Sequence, residues 1–343
     1  MEASLAQKAA YLERALEPWR ELIQPVASLP AGQRLAYRDR VTLNMRWSDA
    51  TGWRLGLMRR DELIAIHNCP VHSARVNALV ALLRHRLPPP DELPAAYLHV
   101  AAAQATLVIK AKAVTEQALR ALAGPVAGLG FEGFWLHYHP CAGRRLFARN
   151  GWKLLWGRPR SKDAHGLYYG PASFLQPVPS LHAAALEQSH RFMAPGAGSS
   201  VLDLYCGVGA GLRRWTEAGA KVLGVELAGE AVSLAAMNAP AAQLLRGTCA
   251  QRLPQVRRWW AEQGGSRLVY ANPPRSGLEP PVLDALANEL RPERLAYLSC
   301  SAGTLSRDLV SLERSGLNVV AIQPFDFFPL THHVEALALL ERR

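Results

Sequence analysis

The sequence predicts an α/β protein, a Rossmann-like doubly wound sheet preceded by a smaller α+β domain. Three observations carry that prediction. Val201-Leu202-Asp203-Leu204-Tyr205 breaks into a turn holding Gly207, Gly209 and Gly211, and Val222-Leu223-Gly224-Val225-Glu226 follows. This is how a strand hands over to a helix and returns as a neighbouring strand. From residue 200 to 340, apolar runs of strand length alternate with stretches of helix length, as in a mostly parallel sheet covered on both faces. Ahead of them the chain reads as short alternating strands with a few helices. A length of 343 residues suits two domains, placed at 1–165 and 166–343.

Taken in order, Leu5, Leu12, Leu16, Trp19 and Ile23 recur at helical intervals, so an amphipathic helix opens the chain. Residues 25–32 read as a linker. The stretch 41–47 alternates, turns at 48–52 and returns over 53–58 as a hairpin. A helix over 76–87 is stopped by Pro88-Pro89-Pro90. Strands at 97–100, 105–112 and 134–138, with a helix over 115–123, complete the front domain. The basic and aromatic run 152–160 suits either a strand with buried tryptophans or a surface that stacks bases and contacts phosphates. A helix over 178–193 then leads into strands expected at 200–205, 221–226, 242–246, 267–271, 295–299, 317–323 and 334–340. Ligands of such sheets sit beyond the carboxyl ends of the strands. Asn272 and Cys300 follow two of those ends. Glu335 opens the last strand and reaches the same edge only if that strand runs antiparallel.

The net charge of +11 is unevenly spread. Residues 1–199 hold 24 Lys/Arg against 14 Asp/Glu, and residues 200–343 hold 15 against 14. A basic module joined to a nearly neutral one suggests a polyanionic substrate held by the first and modified by the second. No stretch is apolar for long enough to span a membrane, and the start has no basic-then-apolar signal pattern. Five scattered cysteines fit reduced thiols and a cytoplasmic location. No C-x-x-C pair occurs, so neither a metal site nor a metal cluster is expected.

The glycines of the turn alternate rather than running G-x-G-x-x-G, and no phosphate loop occurs, which argues against a nucleoside triphosphate. Glu226, about twenty residues on, can accept both hydroxyls of a ribose. The spacing therefore implies a nucleoside cofactor. Its D-L-x-C-G-x-G form resembles the adenosylmethionine-binding turn of class I methyltransferases. Asn272-Pro273-Pro274 is the place where the group to be methylated would meet that cofactor. An aromatic after it would suggest amino methylation of a base, but Arg275 stands there instead. Cys300 lies at a strand end just before a helix, whose positive N-terminal field favours thiolate.

Several ordered motifs resemble the RNA (uracil-5-)-methyltransferase family. They are Phe174-Leu175-Gln176, Pro273-Pro274-Arg275-x-Gly277, Ser299-Cys300 with Thr304-Leu305-x-Arg307-Asp308, and Phe325-Asp326-x-Phe328-Pro329-x-Thr331-x-His333-Val334-Glu335. His67-Asn68-Cys69-Pro70-Val71 is similar to a segment of the family's front region. The resemblance implies a class I methyltransferase sheet, S-adenosyl-L-methionine as cofactor, and tRNA or rRNA as partner. It implies Cys300 as nucleophile, Glu335 as base, and Gln176, Tyr205, Gly207, Gly209 and Glu226 as cofactor-binding residues, with Asn272 facing the substrate base. Departures accompany it: the family's Asp before Pro-Pro is Asn272, its Asn-Pro after the nucleophile is Ser301-Ala302, its Gln-x-Asn ends at Val178, and its turn Asn is Ala210. An amide at 272 can serve uracil or cytosine. The expected activity is 5-methyluridine formation, with cytosine-5 methylation or an RNA-binding homologue of reduced catalysis as alternatives.

Overall fold

A computed structural model describes residues 2–143 and 146–342. The chain forms two compact units, residues 33–177 and residues 1–32 together with 178–343. The boundary therefore falls at 177/178 rather than 165/166, and the first 32 residues fold with the second unit. The physical reason lies in what they bury. Helix α1, Glu2–Ala15, and the 3-10 turn Glu17–Leu22 put Leu12, Leu16 and Trp19 into the core of the later sheet. The expected continuous helix is broken at Pro18 in that 3-10 turn. The expected linker begins as strand-like chain instead: the Gln24 N–H donates to Ile322 O at 2.8 Å, and the Ala27 N–H to Pro324 O at 2.9 Å.

The unit 33–177 contains β1 Arg40–Ser48, β2 Gly52–Arg59, β3 Glu62–Ala65, α2 Ala74–Arg86, β4 Ala95–Ala101, β5 Gln104–Ile109, α3 Gln117–Arg120, α4 Ala123–Gly128, β6 Gly133–Tyr138, β7 Trp152–Gly157, β8 Ser161–Lys162 and β9 Tyr168–Tyr169. Seven strands form one sheet in the order β3-β2-β1-β4-β5-β6-β7. Every pairing is antiparallel except β5 with β6. Alternation in β1 and β2 sends Val41, Leu43, Met45, Trp53 and Leu55 inward, into one core with Val76, Leu79, Val80 and Leu83 of α2. Trp152 of β7 packs on the opposite face, its ring centroid 4.2 Å from His137 and 4.8 Å from Phe147.

The other unit continues with α5 Pro179–Met193, β10 Ser200–Leu204, α6 Ala210–Glu217, β11 Lys221–Glu226, α7 Gly229–Asn238, β12 Gln243–Arg246, α8 Cys249–Ala261, β13 Arg267–Ala271, α9 Pro280–Asp284, β14 Arg294–Ser299, α10 Ala302–Arg314, β15 Leu317–Phe325 and β16 Glu335–Arg342. The sheet order is β12-β11-β10-β13-β14-β16-β15. The first five strands in that order are parallel, and β16 runs antiparallel to both β14 and β15. Strand order reverses beside β10, with β11 on one side and β13 on the other. In open α/β sheets, ligands bind beyond the carboxyl edge at such a switch point.

Candidate active site

The turn after β10 comes first at that edge. Tyr205, Gly207 and Gly209 take φ of 60°, 56° and 88°, so the backbone curls through left-handed conformations. At Gly209 a Cβ would come 3.1 Å from the Ala235 backbone, so a side chain there would push α7 off the turn. Glu226 closes β11 with its carboxylate folded over the same turn. It accepts the Gly207 N–H at 3.0 Å and the Ala228 N–H at 2.7 Å. Beneath, the Asp203 carboxyl accepts the Trp215 Nε1–H at 3.0 Å, and burial pushes its pKa up to about 8. The Tyr205 hydroxyl faces Glu279, accepting its backbone N–H at 3.4 Å.

The next two strands bring Asn272 and Cys300 to the same edge. Asn272 follows β13, half-buried, and its N–H reaches Leu204 O at 3.3 Å. Cys300 follows β14. The antiparallel ladder ends at the pair Ser299–Ala336, and Cys300 and Glu335 are the next residues beyond it on the two strands. Glu335 is buried, 4% exposed, and is held on its other side by the ladder pair with Phe325. Tyr205, Glu226, Asn272, Cys300 and Glu335 thus share one sheet edge, as expected if the last strand is antiparallel.

The thiol's electrostatics differ from the sequence expectation. Burial pushes the Cys300 thiol above its ordinary value, the Glu335 carboxylate pushes it further, and Arg275 pulls it partly back. A helix start does follow, but a carboxylate across the ladder and the loss of water outweigh its field.

Arg275 was legible in the sequence as a missing aromatic and as part of the Pro-Pro-Arg-x-Gly motif; what positions it emerges from the fold. The loop 272–279 that carries it is fastened by α10. Thr304 Oγ1 donates to Arg275 O at 3.2 Å, and Arg307 donates to Ser276 O at 3.0 Å. The buried Asp308 carboxylate accepts the Leu278 N–H at 3.0 Å and the Tyr297 hydroxyl at 2.8 Å. This gives the Thr304-x-x-Arg307-Asp308 motif a physical reason. Ser301 caps α10, accepting the Thr304 N–H at 3.5 Å, with Ala302 buried at the first helical position. Asn and Ser are equivalent caps, so the departure at 301 preserves the helix start.

Gln176 is buried in the unit 33–177, so its cofactor assignment rests on the motif alone. The same unit carries a half-buried cation. The Arg40 guanidinium lies 4.4 Å from the exposed Phe174 ring, and its Nε has no hydrogen-bond partner among the described residues. Burial and neighbouring Arg38 push it down to about 10. Redrawing the boundary also sharpens the charge split. Residues 33–177 hold 20 Lys/Arg and 9 Asp/Glu, net +11, whereas the other unit holds 19 of each. Among the described residues, no group of three or more His, Cys, Asp and Glu could hold a metal ion, and no helix is long and apolar enough to cross a membrane.

Residues 263–343 match the family model described as tRNA (uracil-5-)-methyltransferase. The 23S rRNA (uracil(1939)-C(5))-methyltransferase RlmD of Pseudomonas fluorescens is 32% identical over 324 residues, covering 91% of this chain and 69% of that protein. An RNA methyltransferase of Thermosynechococcus vestitus is 32% identical over 347 residues, covering 93% and 75%. One from Halalkalibacterium halodurans is 33% identical over 198 residues, and there the match spans only 42% of the relative's length. Among solved structures, the Pyrococcus abyssi tRNA (uracil-54, C5)-methyltransferase in complex with S-adenosyl-L-homocysteine superposes with a TM-score of 0.72 at 20% identity, over 99% of this chain and 83% of that one. That likeness shows the fold. With identity above 30% over more than two thirds of the length of two relatives, the chain belongs to the RNA (uracil-5-)-methyltransferase family.

Proposed function

We propose that the chain is an S-adenosyl-L-methionine-dependent methyltransferase that forms 5-methyluridine in cytoplasmic tRNA or rRNA. The observation that supports this reading is the β14/β16 register, whose last pair, Ser299–Ala336, is adjoined by Cys300 on one strand and Glu335 on the other at the carboxyl edge of the sheet. The turn at Gly207 and Gly209 with Glu226 folded over it fits a nucleoside, and Tyr205 borders it. Adenosylmethionine, when bound there, supplies an electrophilic methyl group. C5 of uracil is a poor nucleophile until a thiolate adds at C6. Cys300 Sγ makes that bond, and the resulting enolate carbon accepts the methyl. Glu335 then takes the C5 proton, the double bond re-forms, and Cys300 leaves as thiolate. Asn272 accepts the N3–H of the base and donates to O4. The basic unit, with Arg38 and Arg40 clustered beside Phe174, supplies phosphate contacts.

The test is mass spectrometry of nucleosides from unmodified tRNA and 23S rRNA transcripts incubated with the protein and labelled adenosylmethionine. 5-Methyluridine is expected, and Cys300→Ala should abolish it. 5-Methylcytidine would move the substrate to cytosine, as Asn272 allows. A methyl on an exocyclic nitrogen would make Asn272 the centre of the chemistry. Binding without methylation would leave an RNA-binding homologue.

A further inference from the structure

The hairpin that carries Glu335 has a nine-residue loop, 326–334, between the paired residues Phe325 and Glu335. Such a loop should leave the first residue of β16 loosely held. It is tied down from the opposite end of the chain. The Lys8 ammonium of α1, 318 residues away in sequence, donates to the Asp326 carboxylate and, at 3.1 Å, to Phe328 O. Both charged side chains are almost fully buried, at 1% and 2% exposure. Phe328 O also accepts the Thr331 hydroxyl at 2.8 Å and its N–H at 3.2 Å, and Thr331 Oγ1 accepts the His333 N–H at 3.2 Å. One chain of bonds therefore runs from Lys8 through the loop to within two residues of Glu335.

A buried ion pair is a poor way to gain stability, because desolvating both charges offsets their attraction and an apolar pair of similar volume does as well. What it provides is a single geometry, since three ammonium donors demand acceptors in fixed places. We propose that Lys8, with Asp326, is a positioning residue for Glu335, holding the base where it meets the C5 proton. This inference rests on the reading of Glu335 given above. The step it serves is elimination: the C5–H electrons form the C5–C6 double bond, the C6–S bond breaks, the proton goes to Glu335, and Cys300 departs as thiolate. Addition and methyl transfer precede it and use Cys300, whose loop lies on a different strand.

The prediction follows from that separation. With the full chain, tritiated-methyl adenosylmethionine and unmodified tRNA and 23S rRNA transcripts, Lys8→Met should still form the methylated protein–RNA adduct in a single turnover. Its resolution should slow roughly ten- to hundredfold, the scale of a base displaced by about 1 Å. A denaturing gel should then show adduct on ordinary RNA, as Glu335→Gln should. Because Lys8→Met leaves Asp326 buried without its partner, the double variant Lys8→Met/Asp326→Leu is the companion. It removes both charges, should melt near the parent, and should still accumulate adduct. If the folded double variant resolves adduct at the parental rate, or if addition and resolution slow equally, the pair is structural and the proposal fails. If Glu335→Gln itself accumulates no adduct, the base assignment is what fails, and the role of Lys8 falls with it.

Discussion

At the scale of single residues, Cys300 shows how a thiol at a strand end answers to its surroundings. Its neighbours act in opposite directions: burial and Glu335 favour the thiol, and Arg275 favours the thiolate. The sign of the pH response follows. Thiolate is the adding species, and its pKa is raised above the ordinary 9, so single-turnover adduct formation should climb with pH well into the alkaline range. Glu335→Gln removes a negative neighbour and should move that climb to lower pH. Arg275→Ala removes a positive one and should move it higher. Stopped-flow or quench profiles that coincide for all three proteins would show that the thiol does not sense these charges. Asp203, the acid of the glycine turn, sits in a similar environment, and burial holds it protonated to about pH 8.

At the scale of elements, the loop between β13 and α9 is positioned by a helix it does not adjoin in sequence. Asp308 of α10 gathers a backbone N–H and a tyrosine hydroxyl, and Gly277 makes room for it. Gly277 has φ of 78°, and a Cβ there would lie 2.7 Å from Asp308 Oδ2. Gly277→Ala should therefore cost about 1–3 kcal/mol of stability through backbone strain and the displaced carboxylate. It should also slow methyl transfer, because Arg275 and Asn272 ride on the same loop. Urea unfolding gives the first quantity; an unchanged midpoint would mean the loop relaxes freely. The N-terminal elements act in the same way on the other hairpin, which is why residues 1–32 belong with the sheet.

At the scale of the whole molecule, charge and chemistry are segregated. One unit carries the entire net charge of the chain and the other is neutral. Each phosphate contact adds about 0.7 to the salt slope on single-stranded nucleic acid. Replacing Arg34, Arg38 and Arg40 by Gln should flatten the slope of RNA binding by up to about 2. An unaltered slope in filter-binding titrations would make those arginines solubility charge, and the phosphate contacts would have to be sought elsewhere on the unit.

The sequence by itself determined the alternation of strands and helices, because apolar periodicity is local. The strands β11 and β13 fall where their apolar runs begin and end. It also presented the glycine turn, Cys300 and Glu335 within contiguous motifs, which is what made them candidates. Tertiary structure alone decided the direction of β16, and with it whether Glu335 meets Cys300 at all, because strand pairing is a non-local choice. It decided that α1 belongs with the later sheet, since the partners of Leu12, Leu16 and Trp19 lie hundreds of residues away. It decided the surroundings of the Cys300 thiol as well. A helix start nearby in sequence favours thiolate, but burial and an opposing carboxylate arrive only when the sheet assembles, and they prevail.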